Sequence, residues 1–314
     1  MRFKKINIRN IKTYSVKKRR SKVNMAGLSG VHRAGASFGA FLENLPDALG
    51  ARDLKKVCAS VIKAHREKKT IAIGIGAHVV KVGLCTVIID LVERRIANAV
   101  AMNGACVVHD FEIAYAGETS EDVDASIQNG SFGMANETAV LINGAIKKWG
   151  DKGLGHAVGR LIHERGFPNR DKSILAACYR LRIPATVHVA LGTDIIHMHP
   201  SMDGGKTGQA SMEDFRSFAS VVASMDRGVY LNIGSAVVLP EVFLKALTLA
   251  RNLGHRVGNL TTVNMDFIQQ YRAATNVVKR PTLGGGRGFS LTGHHEIMVP
   301  ILHAAIVEGL DITK

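Results

Sequence analysis

The stretch TIAIGIG, residues 70–76, has the composition of a buried strand that ends in glycines. Four further short apolar segments of this kind follow along the chain, and segments with helical spacing separate them. Strands that alternate with helices favour parallel pairing with right-handed crossovers. The sequence therefore predicts an α/β fold with a doubly wound, mostly parallel sheet. The four further predicted strands are residues 97–103, 184–191, 228–234 and 258–264.

Charge divides the chain into two parts. The 314 residues include 41 basic and 26 acidic side chains, a formal net charge of +15. Ten of the basic side chains and none of the acidic ones lie in residues 1–24, so the rest of the chain is close to electrically balanced. We therefore expect a basic N-terminal arm and linker over residues 1–40 and a single α/β domain over residues 41–314. The arm favours docking on a neighbouring subunit over binding nucleic acid; an RNA-associated protein is the alternative.

Composition also bounds the class of protein. A hydrophobic content of 46% with 21% charged residues excludes disorder as the main state. No stretch approaches the ~18 uninterrupted apolar residues of a membrane span, and no apolar core follows the basic N-terminal segment as it would in a secretory signal. The four cysteines lie far apart without a CxxC pair. This pattern predicts reduced thiols in a cytoplasmic protein that does not bind membranes, although an Arg-rich, acid-free tail also fits an organellar transit peptide.

In open α/β sheets, ligands bind beyond the carboxyl ends of the strands. This rule points to five predicted loops, which hold most of the unusual polar residues of the chain. GIGAHV, residues 74–79, resembles the opening of a dinucleotide-binding loop, but Val79 stands where the standard fingerprint has its third glycine. The five loops are residues 74–78, 103–112, 192–205, 234–240 and 264–288.

Histidines and carboxylates accumulate in two of these loops and in the segment TGHHE, residues 292–296. His109 and Asp110 follow one predicted strand and are candidates for general acid or base work or for amine recognition. Imidazole beside carboxylate would also suit Zn, Fe or Mn, so a metal-dependent hydrolase or lyase is an alternative function. Histidines that bind a substrate or only stabilise the fold are the other interpretation. The alternative metal ligands are Asp194, His197, His199, His294 and His295.

Lys279, in the segment NVVKRP, lies close to the glycine-rich residues 284–288. A lysine desolvated by apolar neighbours can lose its proton and act as an amine nucleophile. From spacing alone, a surface lysine beside Arg280 is the competing interpretation.

The order of the loops resembles the deoxyhypusine synthase family from about residue 72 to residue 307. VERRIANAVAMNGACVVHD (92–110) is similar to the family's strand, small-residue loop and acidic helix start, and IPATVHVALGTDIIHMH (183–199) is similar to its Pro-led strand and Asp loop. The ordered set is far more specific than any one motif. The other resembling segments are GVYLNIGSAVVLPEVFLKALTLARNLG (228–254), LTTV (260–263) and MVPILHAAI (298–306).

The resemblance implies a Rossmann-like fold of the deoxyhypusine synthase type and an NAD-dependent aminobutyl transfer. In that family NAD takes a hydride from spermidine, and the resulting imine passes to a lysine and then to an acceptor amine. Lys279 matches that lysine, and the sites would lie between subunits of a homotetramer. The implied cofactor contacts are Asn103, Gly104, Asp194, Gly234, Ser235 and Thr262.

The chain differs from the family's pattern at four places. The family's paired glutamates after the small-residue loop are Val108 and His109 here, its substrate histidine falls near Pro240 and Glu241, and two segments change. The family's Gly-Ser-Asp substrate loop is FIQQYR here, and its Glu-Ala-Val-Ser-Trp-Gly-Lys segment is AATNVVK. The acid and the tryptophan that help to hold the polyamine in that family are therefore absent. The sequence predicts a small amine substrate without identifying it, and it leaves a protein acceptor unassigned.

Overall fold

The computed structural model describes residues 3–311, and a sheet of six strands forms their centre. The strand order is β3-β2-β1-β4-β5-β6, and all five pairings are parallel. The predicted doubly wound α/β fold is thereby confirmed. The strands are β1 (Ile71–Ile75), β2 (Ala99–Asn103), β3 (Ala185–His188), β4 (Val229–Ile233), β5 (Thr261–Asp266) and β6 (Arg287–Thr292).

Helices cover both faces of the sheet. One face packs against a large core to which α2, α4, α5, α8, α9 and α13 contribute, and α10 and α11 pack on the other. The helices are α1 (Phe38–Asn44), α2 (Leu49–Arg66), α3 (Ala77–Lys81), α4 (Cys85–Glu93), α5 (Gly104–Ala116), α6 (Val123–Ser126), α7 (Asn136–Trp149), α8 (Leu154–Arg165), α9 (Ile174–Leu181), α10 (Gly204–Ala223), α11 (Val238–Asn252), α12 (Tyr271–Ala273) and α13 (His295–Asp311); a π-helix, Ala274–Lys279, follows α12.

Strand β1 shows why the sheet is buried on both sides. Its isoleucines face the larger core, while Ala72 and Gly74 face α10 and α11. A Cβ atom built on Gly74 would lie 2.4 Å from Oη of Tyr230 on β4, so a side chain there would displace the tyrosine. Tyr230 in turn stacks on Phe243 of α11, with 4.0 Å between ring centroids.

The structure differs from the sequence-based prediction after β5. Residues 264–288 do not form one loop, because they contain α12, the π-helix and the beginning of β6. Strand β6 escaped prediction since its segment RGFSLT is exposed at four of six positions and buries only Phe289 and Leu291. Residues 103–112 are also not a loop: α5 begins at Gly104, immediately after β2.

The segment before α1 contains two short 3-10 turns, and almost every residue in it is exposed. Its exposed side chains include large apolar ones such as Ile6, Ile8 and Tyr14. Among residues 3–311, no helix has the length and apolar character needed to cross a bilayer.

Candidate active site

The strand order places the binding crevice of the fold between β1 and β4. The chain leaves β1 toward β2 and β3 on one side and returns through β4 to β5 and β6 on the other, so the loops beyond these two strands diverge. Gly76 follows β1, Gly234 follows β4, and a Cβ atom built on Gly76 would lie only 2.0 Å from the carbonyl oxygen of Gly234. The two loops therefore meet backbone to backbone.

We expect Gly76→Ala to lower the free energy of unfolding by about 1–3 kcal/mol, because the added methyl group forces the two loops apart. Urea denaturation measures the change. Gly144→Ala, on the exposed side of α7 with no atom within 4 Å of the built Cβ, is the matched control. It should be stabilising by about 0.5–1 kcal/mol. Equal effects of the two substitutions would contradict the close approach.

The loops after β2 and β3 bring three of the predicted cofactor residues together. Oδ1 of Asn103 accepts a hydrogen bond from the amide of Cys106 at 3.1 Å and so caps α5. Gly104 leaves room for Asp194: a Cβ atom built on this glycine would lie 1.9 Å from Oδ2 of the aspartate. The carboxylate of Asp194 therefore packs directly on the first residue of α5.

Asp194 and His197 lie side by side, and their facing atoms are buried without a hydrogen-bond partner among the described residues. Nδ1 of His197 accepts the backbone N–H groups of Gly192 at 3.2 Å and Asp194 at 3.1 Å, so the neutral ring carries its proton on Nε2. Nε2 lies 3.9 Å from Oδ2 of Asp194, and neither atom has a hydrogen-bond partner among residues 3–311. Burial raises the pKa of Asp194 to about 6. An unsatisfied buried carboxylate oxygen is a place where a donor group of a ligand can bind.

A cavity of about 550 Å³ opens beside Asp194, between α5 and the segment that follows it. Four carboxylates and one lysine line it, so its charge favours a cation. Apolar side chains such as Val108, Val123 and Phe132 complete the wall. The ionisable lining residues are Lys81, His109, Glu112, Glu118, Glu121 and Asp194.

A chain of hydrogen bonds fixes the protonation of His109 in this cavity. Oγ1 of Thr119 donates its one proton to Glu112, whose other oxygen accepts from Thr138 at 3.0 Å. Oγ1 of Thr119 lies 2.7 Å from Nδ1 of His109, and with its proton already donated it can only accept there. His109 therefore carries its proton on Nδ1. Burial, and secondarily the charge of Lys81, lowers the pKa of His109 to about 4. Nε2 is thus an unprotonated acceptor at neutral pH.

The other side of the crevice is built from the ends of β4, β5 and β6. His295, fully buried at the start of α13, places Nε2 3.3 Å from the carbonyl oxygen of Met265 and 3.6 Å from Oδ1 of Asp266. Its Nδ1 has no partner within residues 3–311, and its ring lies against Gly234. The ring of His78 lies 5.5 Å from that of His295. Burial lowers the pKa of His295, which disfavours the protonated imidazolium.

Asp110, predicted as a catalytic residue beside His109, has a different role in the structure. It is fully buried and accepts hydrogen bonds from Oγ of Ser173 at 2.5 Å and from the amides of Ile174 and Leu175 at 2.7 and 3.2 Å. Consecutive residues of an α-helix point about 100° apart, so His109 reaches the cavity while Asp110 holds the N-terminus of α9. The structure therefore separates the two residues that the sequence placed together.

Lys279 and Thr262 lie at the opposite end of the sheet from the crevice. The carbonyl oxygen of Val278 packs on Gly288, which pairs with Thr262 near the beginning of β5. The π-helix has carried the chain back to the amino ends of the strands by this point. Lys279 is exposed there, and Thr262 is fully buried inside the sheet. Neither residue reaches the crevice of its own chain. The residue that ends β5 at the crevice is Asp266, which the sequence-based prediction missed.

The structure does not assemble the five alternative metal ligands. His199 bonds Ser201 through Nδ1, and His294 is 70% exposed, so of the five residues only Asp194 and His197 face each other. Among residues 3–311, no group of three or more His, Cys, Asp or Glu side chains is arranged to hold a metal ion.

The acidic lining of the cavity was also missed by the sequence-based prediction. The run GETSED, residues 117–122, carries Glu118 and Glu121 to the cavity. Glu121 additionally accepts the amide of Gly133 at 2.7 Å, which fixes the loop that closes one wall. Three acids within these six residues, directly after a helix, were the available signal.

No protein-family model and no curated protein matches the chain in sequence. Solved structures do match. A deoxyhypusine synthase candidate from Entamoeba histolytica superposes with a TM-score of 0.52 at 11% identity, over 87% of this chain and 94% of its own. The fold is that of deoxyhypusine synthase-type proteins. The expected resemblance is thus confirmed at the level of architecture.

Two further matches come from longer proteins. AgrE in complex with ornithine and NAD+ gives a TM-score of 0.53 at 13% identity, and the cyanobacterial arginine dihydrolase ArgZ gives 0.53 at 14%. This chain is covered over 86% and 84% in the two comparisons but spans only 35% and 33% of those proteins. At these identities the likeness concerns the fold alone.

Proposed function

We propose that the protein is an NAD-dependent enzyme that acts on a small cationic amine at the β1–β4 crevice. The observation that carries the proposal is the acid-lined cavity, which adjoins the crevice at Asp194. The carboxylates expected from the family's substrate loop are absent here, but Glu118, Glu121 and Asp194 supply the same chemistry from other segments. The apolar wall suits an aliphatic chain between the charged ends of such an amine.

The residues at the crevice fit a nicotinamide dinucleotide, although not through the standard glycine fingerprint. Val79 is part of the buried core, and the side chain of Asn103 is engaged in capping α5. What remains for a cofactor is the close backbone approach of Gly76 and Gly234, the adjoining Ser235, and the unpaired Nδ1 of His295. The NAD+ in the AgrE complex supports this assignment. Bound there, NAD+ would accept a hydride from the carbon that carries the amine.

His109 is the proposed proton acceptor. An amine must lose a proton from its ammonium group before its carbon can give up a hydride, and Nε2 of His109 is unprotonated at neutral pH. The proton moves from the substrate nitrogen to Nε2, while the hydrogen bond from Nδ1 to Thr119 holds the ring in place. Asp194 would bind and orient the ammonium group.

The transfer step proposed for Lys279 requires a second subunit. Since this lysine lies at the far end of its own sheet, it could form an imine with the oxidised substrate only in the site of a neighbouring chain of the proposed homotetramer. Mixing inactive Asp194→Asn with inactive Lys279→Arg protein tests this. Shared sites predict recovery of about a quarter of the wild-type rate after exchange of subunits, because one intact site forms in each mixed pair. Unchanged activity of Lys279→Arg alone would exclude the imine.

Amine binding should depend on pH through Asp194. Its pKa is raised to about 6, so the carboxylate is charged above pH 6 and becomes neutral as the pH falls. We expect the affinity for a cationic amine to decline by up to about tenfold per pH unit below pH 6. Calorimetric titrations between pH 5 and 8 measure this. In Asp194→Asn the step should vanish; its persistence would show that another group controls binding.

The activity itself is testable with purified protein, NAD+ and a panel of amines that includes spermidine and ornithine. We expect amine-dependent formation of NADH, detected by its absorbance, and retention of NAD in native mass spectra. The four buried free cysteines fit a cytoplasmic enzyme. Absence of both bound NAD and amine-dependent reduction across the panel would contradict the proposed function.

A further inference from the structure

A second cavity, of about 610 Å³, lies at the other end of the sheet. It is bounded by α8, α9 and α10 and by the residues that lead into β3, so it opens at the amino ends of the strands. The amine cavity lies beyond their carboxyl ends, and the two share no lining residue. The polar lining residues are Lys152, His156, His163, Tyr179, Arg180, Arg182, Thr186, Asp214 and Ser217.

The permanent charges on the wall of this second cavity are cationic. Arg180 is paired with Glu93 at 2.5 Å. Lys152 and Arg182 are exposed and make no salt bridge with any residue from 3 to 311. Two unpaired cations at one cavity leave positive charge that a ligand can neutralise.

Among the described residues that line the second cavity, the one acid is Asp214, and backbone amides of the protein already bind its carboxylate. Oδ2 of Asp214 accepts the amides of Gly155 at 2.9 Å and Val187 at 2.8 Å, which ties α10 to α8 and to the free edge of β3. Burial raises the pKa of Asp214 to about 7, so its charge is reduced at neutral pH. Partial protonation and the two amide donors reduce the repulsion that Asp214 exerts on an anion.

Three rings form one wall of the second cavity, and one ring nitrogen in this wall has no hydrogen-bond partner among the described residues. His156 and His163 pack on Tyr179, with 5.3 and 5.6 Å between ring centroids. Nδ1 of His156 is buried and has no hydrogen-bond partner within the described residues. A buried imidazole nitrogen without a partner calls for a ligand or water.

We propose that this second cavity binds a small molecule through an oxyanion group, a phosphate or a carboxylate, held by Lys152, Arg182 and His156. The site is separate from the proposed amine site and would hold a second ligand. Binding there would connect α8 and α9 to β3, whose far end supplies the loop that carries Asp194.

The test uses inorganic phosphate and malonate as separate probes in isothermal titration calorimetry. We expect at least one probe to bind the wild-type protein and Lys152→Gln/Arg182→Gln to weaken it by about tenfold or more, since each lost charge-assisted contact is worth about a factor of ten. Binding of phosphate alone, malonate alone or both would identify the oxyanion that the site accepts. Arg256→Gln, an exposed arginine outside the cavity, is the matched control and should bind like the wild type.

Absence of binding by both probes, or equal affinity in the double variant and the wild type, would overturn the proposal. Circular dichroism and thermal unfolding of the variants keep the result interpretable, because both substituted side chains are exposed and their loss should leave the fold intact. The amine titration is run on the same variants. If the double variant binds the amine like the wild type, its loss of oxyanion binding concerns the second cavity alone and leaves the proposed function untouched.

Discussion

Replacement of His109 by glutamine is expected to lower the turnover of an amine substrate by about 10²–10⁴-fold while leaving the free energy of unfolding nearly unchanged. Glutamine can still bond Thr119 through its amide, but it cannot take a proton at neutral pH. The loss should fall on kcat, because the carboxylates that bind the amine are untouched. Steady-state kinetics of NADH formation, with amine affinity from calorimetry, separate the two parameters.

The pH dependence of kcat provides a second test of His109. Because the pKa of His109 is lowered to about 4, the base should stay unprotonated, and its contribution to kcat should stay constant from pH 5 upward. Wild-type kcat in the His109→Gln protein would remove this residue from the proton transfer. The cavity would then hold the amine without supplying its base.

The neighbouring residue should give the opposite result. Asp110→Ala is expected to lower the free energy of unfolding by about 3–5 kcal/mol, because it leaves the hydroxyl of Ser173 and two amides of α9 buried without an acceptor. Urea denaturation measures the loss. Asp124→Ala, which removes an exposed acid, is the control and should change stability by no more than about 0.5 kcal/mol.

The pH dependence of stability provides a second test of Asp110. Burial raises its pKa from 3.8 to about 6, so the folded state holds this proton more tightly than the unfolded state. The resulting contribution to stability is fully present below about pH 4 and is lost as the pH rises through 6. Asp110→Ala should therefore show a flatter stability profile than the wild type between pH 4 and 7. Parallel profiles and an unchanged midpoint would contradict the capping role.

The sheet was predictable because its first five strands fall in short, largely apolar segments, which the alternation with helices makes recognisable. Strand β6 was not, since an edge strand exposed at most positions carries little hydrophobic signal. The crevice followed from the same pattern: Gly76, Asn103, Asp194 and Gly234 all lie at or beyond the carboxyl ends of strands, as the topology requires.

The sequence alone did not predict in which direction each side chain points or which side chains lie close together. His109 and Asp110 are adjacent in sequence, but in the helix His109 lines the cavity and Asp110 lies in the core. Thr262 was assigned to the cofactor because LTTV resembles a segment of the family, but in the structure it is the second residue of β5, near the amino end of the strand. The exposed position of Lys279 depends on where the π-helix ends, and no local pattern encodes that.

The acidic residues of the amine cavity show the converse case, because they are separated in sequence but close together in the structure. Glu112 comes from α5, whereas Glu118 and Glu121 come from the segment that follows it, and Asp194 comes from a loop more than 70 residues away. Only the packed fold brings these groups to one cavity. The resemblance to deoxyhypusine synthase had placed the substrate carboxylates in other segments, where this chain lacks them.

Calorimetric titration of spermidine and ornithine into the NAD+-supplied protein tests the central claim most directly. The account predicts binding of at least one amine to the wild type and a loss of about tenfold or more in Glu118→Gln/Asp194→Asn, because each removed carboxylate contact is worth about a factor of ten. Glu137→Gln, which neutralises an exposed acid outside the cavity, should bind like the wild type. Equal amine affinity in all three proteins, or no binding of either amine to the wild type, would contradict the account.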